Sequence, residues 1–117
     1  MNQINSKQDL INFFEKGCKK ESHLSIGVEH EKFIFENHSN KRINFKTVSK
    51  IFNFLEQFGW KPIKEKNNVI RLQRDDQSIT LEPGNQIELS GAKLDSIHLT
   101  CIESYKFLDE LKRACLN

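Results

Sequence analysis

Thr80 to Gly91 reads TLEPGNQIELSG, and the fold follows from how this stretch turns. Pro83-Gly84 supplies the reversal, because proline presets φ at the first central position of a turn and glycine accepts a positive φ at the next. Strand side chains alternate between faces with period two. Ile79 and Leu81 before the turn therefore share a face with Ile87 and Leu89 after it, and Thr80, Glu82, Gln86 and Glu88 share the other. A loop of Pro83 to Asn85 sets Glu82 opposite Gln86 and Thr80 opposite Glu88. Carboxylates and an amide then meet on one side of a hairpin. That face has two readings. It is the water-facing side that antiparallel sheets usually present, or it is an acidic patch that takes a hard cation through carboxylate oxygens.

Upstream, Leu24 to Phe35 (LSIGVEHEKFIF) reads as a long strand. Leu24, Ile26 and Val28 point one way, and Glu29, Glu31, Phe33 and Phe35 the other. Glu29 and Glu31 stand roughly 6.6 Å apart along one face, twice the strand rise. Like charges at that spacing repel unless water or a cation lies between them. His30 falls on the opposite face and reads as structural. Before this strand, Ser6 is a candidate N-cap, and Leu10, Ile11, Phe13 and Phe14 form a helical stripe expected to pack into the core. That helix should close at Gly17 with a left-handed glycine.

After a polar loop at Asn37–Asn44, Thr47 to Phe58 carries Val48, Ile51, Phe52, Leu55 and Phe58 at helical spacing, with Gly59 to end it. Trp60–Glu65 and Val69–Arg74 read as short strands joined by Lys66-Asn67-Asn68, and Asp75-Asp76-Gln77 turns the chain into the central hairpin. A last helix from Leu94 to Ala114 is expected to bury Leu94, Ile97, Cys101, Tyr105, Leu108 and Leu111. His98 and Cys101, one turn apart near Glu103, read as a packed helix face rather than a metal site. The order is helix, strand, helix, four short strands, helix. Tight turns between neighbouring strands imply antiparallel pairing, so the fold class is α+β, an antiparallel sheet with helices packed on one face.

The chain has 117 residues, with 18 basic and 16 acidic residues and a formal net charge of +2, enough for about one domain with a modest core. Its basic residues are scattered, which argues against a nucleic-acid footprint. No apolar run approaches the ~20 residues of a membrane helix, and MNQINSKQDLIN lacks the order of a secretory signal. Cys18, Cys101 and Cys115 have no metal-type spacing; free thiols and a reducing cytoplasm are expected.

IGVEHEKFIF (Ile26–Phe35) and SITLEPGNQIELSGAKLDSIHLTC (Ser78–Cys101) together resemble the glutamate–cysteine ligase family of the plant and proteobacterial type. FGW at Phe58–Trp60 and NVIRLQRDD at Asn68–Asp76 fit the same order. Asn85 replaces a glycine common in the family, and asparagine tolerates the left-handed conformation needed there. The resemblance implies a fold similar to the catalytic domain of glutamine synthetase. It also implies ATP-dependent activation of the glutamate γ-carboxylate as an acyl phosphate, followed by attack of the cysteine amine to give γ-glutamylcysteine, the first step of glutathione synthesis. Mg²⁺ would hold the phosphates. Carried over by position, Glu29 and Glu88 are the leading metal ligands and Glu82 the next. Glu31 and Gln86 are candidates for contact with metal, nucleotide or glutamate. Cys101 matches a position that in some members joins a regulatory disulfide to a cysteine much later in the chain.

Family enzymes run to several hundred residues, so residues 1–117 are expected to be a single N-terminal portion of the catalytic domain, inactive alone, with the rest of the ligase as its partner. Two further readings stay open: a related ligase with another amine acceptor, and a non-catalytic domain that binds a partner chain.

Overall fold

The computed structural model describes residues 3–21 and 24–116. Its sheet has five antiparallel strands: β1 (Glu29–Lys32), β2 (Lys61–Glu65), β3 (Asn68–Arg74), β4 (Gln77–Glu82) and β5 (Gln86–Ser90), in the order β1-β5-β4-β3-β2. Helices α1 (Lys7–Gly17), α2 (Phe45–Leu55) and α3 (Ile97–Cys115) complete the elements. Element order and antiparallel pairing are as read from the sequence.

The central hairpin has the expected register, Thr80 opposite Glu88 and Glu82 opposite Gln86. Gly84 (φ 74°) and Asn85 (φ 61°) both take the left-handed conformation, so asparagine here does what a second glycine would. The turn is tied down from outside: Arg42 donates to the Gly84 carbonyl at 3.1 Å, and the Asn85 amide donates to the Ile43 carbonyl at 3.0 Å.

On one face, Leu72, Ile79, Ile87 and Leu89 meet Val48, Ile51, Phe52 and Leu55 of α2 and Phe107, Leu111 and Ala114 of α3 in one buried cluster. Asn44 caps α2 by accepting from the Thr47 amide. The helix tightens into a 3₁₀ turn at Glu56–Phe58 and stops at Gly59, whose φ of 88° a side chain would strain. Hydrophobic burial against this single face is what holds α2, α3 and the sheet together, each large buried side chain contributing about 1.5–3 kcal/mol.

Four expectations are corrected. The regular part of β1 is only Glu29–Lys32, with isolated bridges Ile26–Leu94 and Phe35–Arg42 beyond it. Between Ser90 and Leu94 the partner strand carries one residue more than the stretch from Ile26 to Glu29, and this bulge breaks the ladder. Second, α1 is capped by Ser6 and ends at Gly17, but the closing residue, Cys18, has φ −70°, so no left-handed glycine is used. Its stripe stays outside the core: Phe13 and Phe14 are 63% and 67% exposed, and the helix buries no residue. Third, the turn into the central hairpin is only Asp75-Asp76, because Gln77 already pairs with Arg74.

Fourth, α3 begins at Ile97, with Ser96 accepting from the Leu99 amide, and it is rotated from the expected orientation. Its buried residues are Thr100, Glu103, Ser104, Phe107, Glu110, Leu111 and Ala114, while Ile97, Cys101 and Tyr105 are exposed, as is His98. Polar partners decide this. Glu110 accepts from the Trp60 indole and from Arg74, each at 2.8 Å, while Glu103 accepts from the Ala92 amide at 2.8 Å and from Gln77. A paired carboxylate can enter a core that hydropathy alone would deny it.

Candidate acidic site on the open sheet face

α2 and α3 cover one face of the sheet, and the alternation that buries Ile79, Ile87 and Leu89 turns their neighbours to the other. The strand pairings place these neighbours in rows. Arg71, Thr80, Glu88 and Glu31 lie side by side across β3, β4, β5 and β1. Gln73, Ser78, Ser90 and Glu29 form the next row. At about 4.8 Å per strand, the first row runs roughly 14 Å from a guanidinium to a pair of carboxylates. Glu82 and Gln86 face each other at the turn end of the same face. All five residues singled out from the sequence (Glu29, Glu31, Glu82, Gln86 and Glu88) are thus on one surface.

Glu31 and Glu88 are directly opposed, and Glu82 and Glu29 add negative charge nearby. The Glu88 carboxyl is held above the ordinary carboxylate value. Partial burial is the main cause; repulsion from Glu82 and Glu29 and contact with Glu31 add to it, while a 3.1 Å hydrogen bond donated by Ser90 works the other way. The floor beside it is small and hydroxylic. Ser78 is buried, and the Thr80 hydroxyl is buried without a hydrogen-bond partner. Among the described residues, no three His, Cys, Asp or Glu side chains converge closely enough to enclose a metal ion. The arrangement is an open row with carboxylates at one end, an unpartnered hydroxyl in the middle and a guanidinium at the other.

Thr80, Ser90 and Arg71 did not stand out as site residues in the sequence. Ser90 follows from carrying the alternation one step past Leu89. Arg71 depends on the two-residue Asp75-Asp76 turn, which sets it opposite Thr80. His30 lies on the helix-covered face, its Nε2 3.5 Å from the Ser104 hydroxyl, consistent with a structural residue.

Residues 25–116 match the family described as Glutamate-cysteine ligase family 2 (GCS2). Curated relatives include the chloroplastic glutamate–cysteine ligase of Medicago truncatula, 44% identical over 108 residues, and that of Arabidopsis thaliana, 39% identical over 108 residues. Chloroplastic glutamate–cysteine ligase A of Oryza sativa subsp. japonica is 45% identical over 108 residues. These alignments cover 92% of this chain and 21–22% of the relatives, so the chain spans about a fifth of their length. The cytoplasmic location expected from the sequence is corrected by these names: the relatives it matches are chloroplastic enzymes. The three cysteines, Cys18, Cys101 and Cys115, are free and exposed.

Proposed function

Because the chain belongs to glutamate-cysteine ligase family 2, we propose that it is the N-terminal portion of a ligase joining the γ-carboxylate of glutamate to the amine of cysteine at the expense of ATP. In this reading residues 1–117 form one part of a catalytic domain similar to that of glutamine synthetase, and the isolated chain is not a complete enzyme. The γ-carboxylate takes the terminal phosphoryl group of ATP, ADP leaves, and attack by the amine forms the amide as phosphate departs. The observation that carries the reading is the opposed Glu31–Glu88 pair within an otherwise open sheet face.

Magnesium suits these residues. It binds through one or two carboxylates and fills its octahedron with water and phosphate oxygens, so it does not require an enclosed protein cage. Glu29 and Glu88 are the assigned ligands, with Glu82 next. Bound there, the cation would neutralise charge on the transferred phosphoryl group. Glu31 and Gln86 contact metal, nucleotide or glutamate at the margins. The unpartnered Thr80 hydroxyl is a donor for a phosphate oxygen, and Arg71 supplies positive charge at the far end of the row.

Calorimetry of MgATP binding to the purified chain, and to Glu29→Ala and Glu88→Ala, tests this. Binding that is lost in both variants supports the assignment. Binding unchanged in both, or absent from a folded wild-type chain, refutes the acidic face as a preformed half-site.

A further inference from the structure

Arg42 is distant in sequence from the central hairpin, yet the fold brings it to the turn end of the open sheet face. It forms an antiparallel bridge with Phe35, and directly opposed residues share a face. Ile34 packs against the core cluster, so Phe33 and Phe35 turn the other way, to the side of Glu29 and Glu31. The Arg42 guanidinium accordingly stacks on the Phe33 ring, 4.2 Å from its centroid. Its Nη1 donates to the Gly84 carbonyl at 3.1 Å. Nη1 also stands 2.7 Å from where a side chain at Gly84 would begin, an approach that glycine alone leaves open.

These two contacts fix the guanidinium and leave its Nε and Nη2 donors unused, a planar fork that matches a carboxylate. Among the described residues the ion pairs are Arg74–Glu110 and Arg113–Asp109, so Arg42 and Glu82 are both unpaired. Continuing the β1–β5 register one step past Lys32–Ile87 sets Phe33 beside Gln86, which faces Glu82. The Gln86 amide likewise makes no side-chain hydrogen bond among the described residues. A guanidinium, an amide and a carboxylate gathered at one end of a face, with none satisfying another, suit the head group of an α-amino acid. Its carboxylate and its ammonium need partners of opposite kinds.

We infer that Arg42 grips the α-carboxylate of the glutamate substrate, whose α-ammonium donates to the Gln86 amide oxygen beside the Glu82 charge. This deepens the ligase reading above and rests on it. Length selects glutamate over cysteine. The Gln86 row lies one strand repeat, roughly 6.6 Å, from the opposed Glu31–Glu88 pair. Extended glutamate holds its two carboxyl carbons about 5 Å apart at ordinary bond lengths. With its head group on Arg42, its γ-carboxylate therefore reaches toward the Glu31–Glu88 end, where a cation would receive it. In cysteine the reacting amine and the carboxylate share one carbon, so a cysteine seated on Arg42 would fall short of that pair.

Chemical-shift titration of the isotopically labelled chain in Mg²⁺ tests this with L-glutamate, with glutarate, which lacks the ammonium, and with 4-aminobutyrate, which lacks the α-carboxylate. L-Glutamate is expected to bind at least about tenfold more tightly than either, the scale of one charged hydrogen bond, and to shift the Gly84, Asn85 and Gln86 amides. Arg42→Met keeps a long side chain over Phe33 but loses the fork. It should weaken glutamate and glutarate at least about tenfold and leave 4-aminobutyrate unchanged. Gln86→Leu should do the converse, weakening glutamate and 4-aminobutyrate while sparing glutarate. If Arg42→Met does not fold by circular dichroism, Gln86→Leu and the ligand preference of the unaltered chain decide. Equal binding of the three ligands, or variants that weaken all three in parallel as a loosened turn would, overturns the inference. Glutamate failing to bind a chain that binds MgATP sinks the head-group site alone. Glutamate selectivity that depends on Arg42, in a chain that binds no MgATP, sinks the ligase reading and leaves the head-group site standing.

Discussion

Glu31 and Glu88 face each other across β1 and β5 at a pair that is not itself hydrogen-bonded, because the Val28 carbonyl bonds to Gly91 and the bonded pairs follow from there. Such pairs bring side chains closest, with Cα atoms about 4.5 Å apart, and here both are carboxylates. The raised Glu88 value means that the folded protein holds that proton more tightly than the unfolded chain. Stability from this group is therefore present in acid and lost as pH rises through the ordinary carboxylate value and then the raised one. Glu88→Gln should stabilise the fold at pH 7 by about 0.2–1 kcal/mol, the usual scale of a cross-strand pair. Urea denaturation at pH 7 and pH 4 should show that advantage shrinking in acid; a variant less stable at pH 7 would contradict the repulsion.

Gly91 has no room for a side chain. A Cβ there would run into the Glu103 carboxylate and stand 3.1 Å from the Val28 carbonyl. Gly91→Ala should cost about 1–3 kcal/mol through overpacking, and less in a Glu103→Ala background, where the obstructing carboxylate is gone. A double-mutant cycle by chemical denaturation measures the difference. Equal cost in both backgrounds would mean that Glu103 is not what Gly91 accommodates.

Arg74 and Glu110 form a 2.8 Å ion pair with side chains only 12% and 5% exposed. Removing the cation alone strands a buried charge. Arg74→Met should destabilise by about 3–5 kcal/mol, whereas Arg74→Met with Glu110→Leu should recover a large part of that loss. Thermal unfolding of both variants gives the comparison, and a double variant no better than the single would rule out charge burial as the cause.

Removing the aromatic stripe of α1 should cost the fold almost nothing. Phe13→Ser with Phe14→Ser is expected to shift unfolding by no more than about 0.5 kcal/mol, as surface substitutions do. The two rings touch each other, with centroids 5.7 Å apart, and the helix buries nothing. A loss of several kcal/mol would mean that the stripe packs after all.

Local chemistry made much of this molecule legible. Pro83-Gly84-Asn85 admits one compact turn, and period-two alternation then carries Glu82, Gln86 and Glu88 to a common face without tertiary information. Asn85 could be placed in the left-handed region because few other side chains tolerate it. The failures were at positions decided by partners distant in sequence. Glu103 and Glu110 look like surface charge until Ala92, Gln77, Trp60 and Arg74 are beside them, and once buried they turn Ile97, Cys101 and Tyr105 outward. The α1 stripe has helical spacing whether or not anything covers it, so periodicity could not say that it lies bare. Arg71 joined the acidic row through a turn one residue shorter than read.

Trp60 is the chain's single tryptophan. Its indole is 2% exposed, bonded to Glu110 of α3, and lies 4.1 Å beneath the Arg74 guanidinium of β3. Intrinsic fluorescence excited at the indole band consequently reports on a single seam, where the far half of α3 rests on the end of β3. Emission should be blue-shifted while that seam is closed, and should move to the red when α3 lifts, even with the central hairpin still paired. Comparing it with far-ultraviolet dichroism would separate helix undocking from loss of the sheet without adding a label.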